Sequence, residues 1–518
     1  MKGERKQNLS LLLKALLVGI FTGLIVGLFR LGIGYLTTFW LSIFQKAHQN
    51  WLWLVAIAAA FTAIGIVAGY FVKQYPHVGG SGIPEVKLQL QGKLTLKWWP
   101  ILWRKLIGGI LVISTGLFLG PEGPSLQLGS VIGQGIGEEL KESKTDSRVL
   151  IATGAASGLS AAFGAPLSGA LFVLEEVFHN FSPRVWMNAL AGTIAANFVV
   201  ANIFGQRPSL ALIYDHPFPS LLYWHLLILG LLLGLLGHLY KTGLFSCKKL
   251  YAKITILPRW LYGLVPLMLV LPIAYFLPLI TGPGSRLILA LPKLIAEPGW
   301  NIIFILLFFY LLRLVFSIVS YDSGLPSGIF LPVLTMGALI GAIYGLFMVR
   351  LHLLPQNLVI NLIIFSMAGY FAAIIRAPFT AIILITEMVG SLLHLMPLAV
   401  VAFTALIVDD LLGGKPIYDS LAQAMMVKDD RQEKLSGNED QLTIPVYEGS
   451  QFVDQKIAQI KWPKSMLVKT IHRGSQDIIP NGQTRIAAGD QLVLEVDANE
   501  RGQVYEQVKK LQGVEFDG

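Results

Sequence analysis

Gly120-Pro121-Glu122-Gly123-Pro124-Ser125-Leu126-Gln127-Leu128-Gly129 and Gly328-Ile329-Phe330-Leu331-Pro332-Val333-Leu334-Thr335-Met336-Gly337 are the two stretches that decide the fold. Laid together, Gly120, Pro124, Gly129, Gly133 and Gly137 fall on Gly328, Pro332, Gly337, Gly341 and Gly345, at a constant offset of 208. Further on, GAPLSGALFVLEE (Gly164–Glu176) meets RAPFTAIILITEM (Arg376–Met388) at an offset of 212. Ala165-Pro166 then lies on Ala377-Pro378, and Glu175 on Glu387. Two matches in the same order argue for two homologous halves. Many secondary transporters are built this way, with the binding site at the repeat interface.

The composition agrees. Of 518 residues, 54% are apolar and 14% charged, whereas soluble chains are about 45–50% apolar and about 25% charged. This excludes a disordered chain and a disulfide scaffold, and it points to a polytopic membrane protein. The lone Cys247 has no partner for an intrachain disulfide or a thiolate cluster. Residues 1–427 hold 28 basic and 16 acidic residues, and residues 428–518 hold 12 and 15. The basic residues flank apolar runs, so a positive-inside bias accounts for them and nucleic acid is not a partner. About ten or eleven apolar runs lie between Leu9 and Leu412, many near the ~20 residues that cross a bilayer. The first follows Lys2, Arg5 and Lys6 and passes Tyr35 with no small-residue cleavage site, which reads as a retained helix. The basic N-terminus and Lys87–Lys105 both argue for the cytoplasmic side.

Three breaks interrupt the runs: Gly79–Pro84, Gly120–Pro124 and Gly328–Pro332. Irregular backbone is tolerated at membrane depth only where protein or a water-filled cavity satisfies it. Each break precedes an apolar helical stretch, so it presents free N–H groups and a positive helix end, a ready anion site. The Ser81 hydroxyl adds a neutral donor. With 16 acids in 427 residues, little material is left for a cation site. The few acids at depth are Glu122 inside a break, and Glu175 and Glu176 at the end of Ala170–Leu174. A charge at mid-membrane costs about 2.5–3.5 kcal/mol on insertion scales, so such groups are functional by default, and a buried carboxyl is suited to carrying protons. Glu175 and Glu387, at equivalent repeat positions, also suit a structural role as helix caps.

These residues resemble the CLC family of chloride channels and chloride/proton exchangers over roughly residues 10–425. GSGIPEV, GPEGP, GAPLSGALFVLEE, SGIFLP, RAPFTAIILITEM and GGKPIY (Gly413–Tyr418) stand in the family's order and spacing. The resemblance implies an all-α inverted-repeat bundle of tilted and broken helices, and a homodimer with one pore per subunit. It implies chloride bound by the hydroxyls of Ser81 and Tyr418 and the N–H groups of Ile329 and Phe330. Glu122 would be the gating glutamate and Glu176 the internal proton acid, which together imply coupled chloride/proton exchange with no cofactor. Ser81 implies chloride, where nitrate-preferring relatives have Pro and fluoride exporters Met. One departure is Pro121, where many relatives carry Arg or Lys. Its loss should lower the positive potential beside the outer anion position, with Lys105 left to act from farther away or to serve as a cytoplasmic-edge anchor. The alternative on the same fold is a passive, voltage- or pH-gated chloride channel. A remote alternative is an intramembrane serine protease, because Gly79-Gly80-Ser81-Gly82 fits a GxSG pattern. Its base would have to come from histidines such as His225, His238 or His394.

The chain divides into a transport domain (1–427, with halves roughly 10–205 and 215–425), a linker (428–440) and a small α+β domain (441–518). The last is read as a strand at Thr443–Tyr447, a helix at Phe452–Ile460, a strand at Ser465–Arg473, a turn at Asn481-Gly482, a strand at Gln491–Asp497 and a helix at Glu500–Leu511. It resembles the regulatory C-terminal domain of potassium-conductance regulators, which implies a small anionic or nucleotide ligand. Arg473 and His472 are as readily solvated as ligand-binding. The expected location is a bacterial plasma membrane with both termini cytoplasmic.

Overall fold

The computed structural model describes residues 2–205, 210, 212, 217–297, 299–426, 439–463, 466–474, 476–497 and 500–513. The first half supplies α1 (Lys2–Ala47), α2 (Leu52–Gln74), α3 (Ile83–Leu90), α4 (Trp98–Ser114), α5 (Glu122–Glu139), α6 (Lys144–Phe163), α7 (Pro166–Phe172) and α8 (Pro183–Phe204). The second supplies α9 (Tyr223–Tyr251), α10 (Leu264–Phe276), α11 (Ser285–Leu294), α12 (Trp300–Asp322), α13 (Phe330–Arg350), α14 (Val359–Ile375), α15 (Pro378–Val389) and α16 (Leu395–Leu411). Helix α17 (Ile417–Met426) follows. Each of the first eight has its counterpart in the next eight.

Reciprocal contacts between equivalent residues mark a two-fold relation, and the halves make two sets of them. Gly120 N–H donates to Gly328 O (2.7 Å) and Gly328 N–H donates back to Gly120 O (2.8 Å). The Glu387 carboxylate accepts from the N–H groups of Leu167 and Ser168 (3.0 and 2.8 Å) and from the Ser168 hydroxyl. The Glu175 carboxylate accepts from Phe379 and Thr380 N–H (3.2 and 2.8 Å) and from the Thr380 hydroxyl (2.7 Å). Each acid thus caps the first turn of the other half's short helix, where backbone donors have no intrahelical acceptor. The fold is an inverted-repeat helical bundle.

Eight helices among the described residues are long and apolar enough to cross a membrane, fewer than the apolar runs suggested. The difference lies in shorter apolar helices, α4 at 17 residues and α15 at 12, whereas α5 and α6 are wrapped by protein. Glycines let them touch: a Cβ on Gly129 would sit 2.0 Å from Gly154 O, and one on Gly154 2.0 Å from Gly129 O. Small residues at such crossings are how membrane helices gain contact without a hydrophobic drive between them.

The C-terminal part is a four-stranded antiparallel sheet in the order β1 (Glu439–Pro445), β4 (Gln491–Asp497), β2 (Met466–Arg473), β3 (Gln476–Ile478), packed with α18 (Arg501–Leu511). Leu442, Ile444, Ile471, Leu492, Leu494, Val504 and Val508 form its core. The expected helix at Phe452–Ile460 is absent. Its backbone instead pairs outward, with Asp454 N–H to Ile486 O, Ile457 N–H to Thr484 O and Ala458 N–H to Gly482 O, leaving one 3-10 turn at Ile457–Gln459. The first strand starts four residues earlier than the expected Thr443 and ends at Pro445. Of the expected linker, 428–438 lie outside the described residues. Arg473 is not merely solvated: it grips the buried Asp490 with Nε (2.8 Å) and Nη2 (2.7 Å), and His472 pairs with Asp477.

Candidate functional site

Four elements begin or break at one place. The loop before α3 carries Ser81, and its next residue Gly82 adopts a left-handed φ of 83° that starts the helix. Helix α5 starts at Glu122, α13 at Phe330 with Ile329 as its N-cap, and α17 carries Tyr418 in its first turn. A Cβ on Gly123 would lie 2.7 Å from Ser81 Cβ, so α5 begins directly against that serine. Gly80 N–H donates to Leu325 O (3.1 Å), and Ser327 N–H donates to Gly80 O (3.0 Å). The three breaks singled out in the sequence are therefore one hydrogen-bonded cluster, and Phe330 connects it to Tyr418. The Phe330 ring lies 5.6 Å from that of Phe172, whose ring lies 6.3 Å from Tyr418.

The donors are uncommitted. Tyr418 is fully buried and its Oη has no hydrogen-bond partner. Ser81 Oγ accepts from Ile83 N–H (3.4 Å) and Tyr321 O–H (3.5 Å), which leaves its own hydrogen to give. The first N–H groups of α13 have no acceptor within the helix. Buried donors without acceptors around a break are chemically an anion site. Glu122 lies at this site, 2% exposed, with the N–H groups of Glu122 itself and Leu331 directed at its carboxylate and Oε2 unpartnered. A carboxylate held by helix-end N–H groups occupies the position of an anion.

A cation from another helix lies within electrostatic reach of Glu122. It is Arg30 of α1, anchored through Nη1 to Ala161 O (2.8 Å). Lys105 is not an edge anchor. It is fully buried, and its ammonium donates to the carbonyls of Val78 (2.9 Å), Gly79 (3.3 Å) and Gly80 (2.7 Å), bracing the loop that holds Ser81. Arg313, 208 residues on, does the same for Ile280 (2.6 Å), Gly282 (3.2 Å) and Pro283 (2.8 Å) before α11.

Glu176 lies away from this cluster, in a π-helical stretch, Val173–Val177, that continues α7. Such wide turns are rare and are frequently found at functional sites. It is 2% exposed, and its Oε1 accepts from Lys87 Nζ at 3.2 Å. Lys87 also pairs with Asp419. Glu176, His179 and Asp419 line a cavity of about 1430 Å³ whose far wall is the C-terminal sheet and helix, including Tyr447, Arg501 and Lys509. The C-terminal part is held there by Lys93–Glu506 (2.5 Å), by Arg501 Nη1 to Leu90 O (3.3 Å) and by Arg148 Nη1 to Gln441 O (3.2 Å).

No protease site forms among the described residues. His225 bonds Tyr344 Oη (2.9 Å) and Leu353 O (3.2 Å), His238 lies 3.4 Å from Asp409, and His394 packs by Phe365. The described partners of Ser81 include no histidine.

Comparison with known proteins agrees with this geometry. The voltage gated chloride channel family matches residues 64–410, and the TrkA-C domain family matches residues 442–509. The chain is 32% identical over 450 residues to the H(+)/Cl(-) exchange transporter ClcA of Cronobacter sakazakii, covering 83% of this chain and 92% of that protein. It is 30% identical over 446 residues to the ClcA of Klebsiella pneumoniae, covering 83% and 91%. Among solved structures, a slow cyanobacterial Cl-/H+ antiporter superposes with a TM-score of 0.76 at 29% identity, covering 81% of this chain and 99% of that one. The chain therefore belongs to the voltage-gated chloride channel family and carries a TrkA-C domain at its C-terminal end.

Proposed function

We propose that this protein is a secondary active transporter that exchanges chloride for protons, acting as a homodimer with one pathway per subunit in a bacterial plasma membrane, both termini cytoplasmic. The observation that carries the reading is the pair of buried glutamates, Glu122 at the uncommitted donor cluster and Glu176 at the cavity away from it. Chloride is bound by the hydroxyls of Ser81 and Tyr418 and by the N–H groups of Ile329 and Phe330. Glu122 is the gate: as a carboxylate it competes with chloride for helix-end N–H groups, and on taking up a proton it loses that claim and swings away. Glu176, next to the cavity, is the acid that passes protons to and from the inner side. The TrkA-C domain is regulatory, with a small anionic or nucleotide ligand.

The test is paired flux in proteoliposomes, with chloride and proton movement followed together. Glu122→Gln and Glu176→Gln should each leave chloride moving without protons, the first by opening the gate and the second by cutting the inner proton route. Proton movement that persists in Glu176→Gln would remove that residue from the mechanism. Rapid chloride flux without protons in the unaltered protein would make it a channel.

A further inference from the structure

Lys87 is fully buried, on the short helix that begins just after Ser81, and its ammonium touches two carboxylates from two other elements. One is Glu176, at 3.2 Å, in the π-helical stretch. The other is Asp419, in the first turn of α17, next to Tyr418, with a side chain 34% exposed. The charged groups facing Glu176 are Lys87 from α3, Asp419 from α17 and its own neighbour Glu175, while His179 and Lys509 of α18 border the same cluster. Glu175 is committed to the N-terminus of α15.

A single ammonium between two carboxylates leaves the cluster one negative charge in excess, a poor state at low dielectric. A proton arriving on Glu176 removes that excess and weakens its hold on Lys87, so the ion pair that remains is Lys87 with Asp419. Because Asp419 adjoins Tyr418 and Lys87 shares α3 with the end of the Ser81 loop, the exchange of partners bears on both sides of the anion site. We propose that Lys87 is the positioning residue that transmits the protonation state of Glu176 to the chloride site, through Asp419 and α17. The proposal rests on Glu176 being the inner proton acid and adds the link between that acid and the bound anion.

The experiment is a double-mutant cycle on the full chain. Chloride affinity is measured by calorimetry in detergent, and proton movement per chloride in proteoliposomes. Glu176→Gln, which fixes the neutral state, should change chloride affinity in the unaltered background. In Lys87→Met and in Asp419→Asn it should change affinity no further, because the link is already cut. Lys87→Met should lose most of its proton movement per chloride, and Lys87→Arg should recover it. If Glu176→Gln shifts chloride affinity by the same factor in all backgrounds, Lys87 is a structural counter-ion and the proposal is wrong. Asp419→Asn keeps the Lys87–Glu176 pair, so it supplies the cycle should Lys87→Met fail to fold. Proton movement that survives Glu176→Gln alone would instead overturn the underlying assignment, and it is read before any Lys87 variant is made.

Discussion

At the scale of single residues, the acids were legible because they are rare, and their roles divide by what surrounds them. Glu175 and Glu387 are consumed by backbone N–H groups, whereas Glu122 keeps an unpartnered oxygen beside the donor cluster. Space for that carboxylate depends on Gly120, where a Cβ would meet Glu122 Oε2 at 2.0 Å. Gly120→Ala should therefore dislodge the Glu122 carboxylate and lower protons moved per chloride, measured by paired flux, whereas Ala at the roomier Gly116 position would be judged by its left-handed φ of 93° instead. Arg30 could not be found from the sequence, since it sits in a different helix 92 positions away from Glu122 and belongs to no motif. Arg30→Leu should weaken chloride binding, because it removes a positive charge that favours an anion at this position, as calorimetry would show. An unchanged affinity would mean that helix-end N–H groups alone set the potential there.

At the scale of elements, the repeat was legible because proline and glycine hold their spacing when other residues drift. The Lys105–Arg313 correspondence shares the same offset yet was missed, since two different cations at equivalent positions look unrelated until both are seen bracing the carbonyls before α3 and α11. The π-helical turn at Val173–Val177 leaves no periodic signal in five residues. The misread helix at Phe452–Ile460 had amphipathic spacing, but its donors are taken by Gly482, Thr484 and Ile486, so tertiary pairing overrode local pattern. The reciprocal caps carry a prediction at this scale. Glu387→Gln should lower stability by about 1–3 kcal/mol, through weaker bonds to Leu167 and Ser168. Thermal unfolding in detergent would register it, with protons moved per chloride unchanged. In the C-terminal domain, Asp490→Ala should cost about 1–3 kcal/mol, because Arg473 and the Ala487 N–H lose a charged partner together.

At the scale of the molecule, the tail is placed where it can act. Arg501 caps the C-terminal end of α3, the helix that starts beside Ser81 and carries Lys87, and the domain walls the cavity that Glu176 lines. The sequence distinguished two bodies by their charge balance, but nothing in it pairs Lys93 with Glu506 across more than four hundred residues. Lys93→Ala with Glu506→Ala should loosen this docking and alter the transport rate without changing protons moved per chloride. Equal rates for the paired variant and the unaltered protein would limit the domain to a passive appendage. All of these rest on the chain being an exchanger. The most direct test is a chloride gradient imposed on proteoliposomes holding the full chain, with the membrane potential clamped by valinomycin and potassium. The account predicts that protons are driven uphill by chloride moving down its gradient. Chloride flux with no proton movement under that clamp would contradict it.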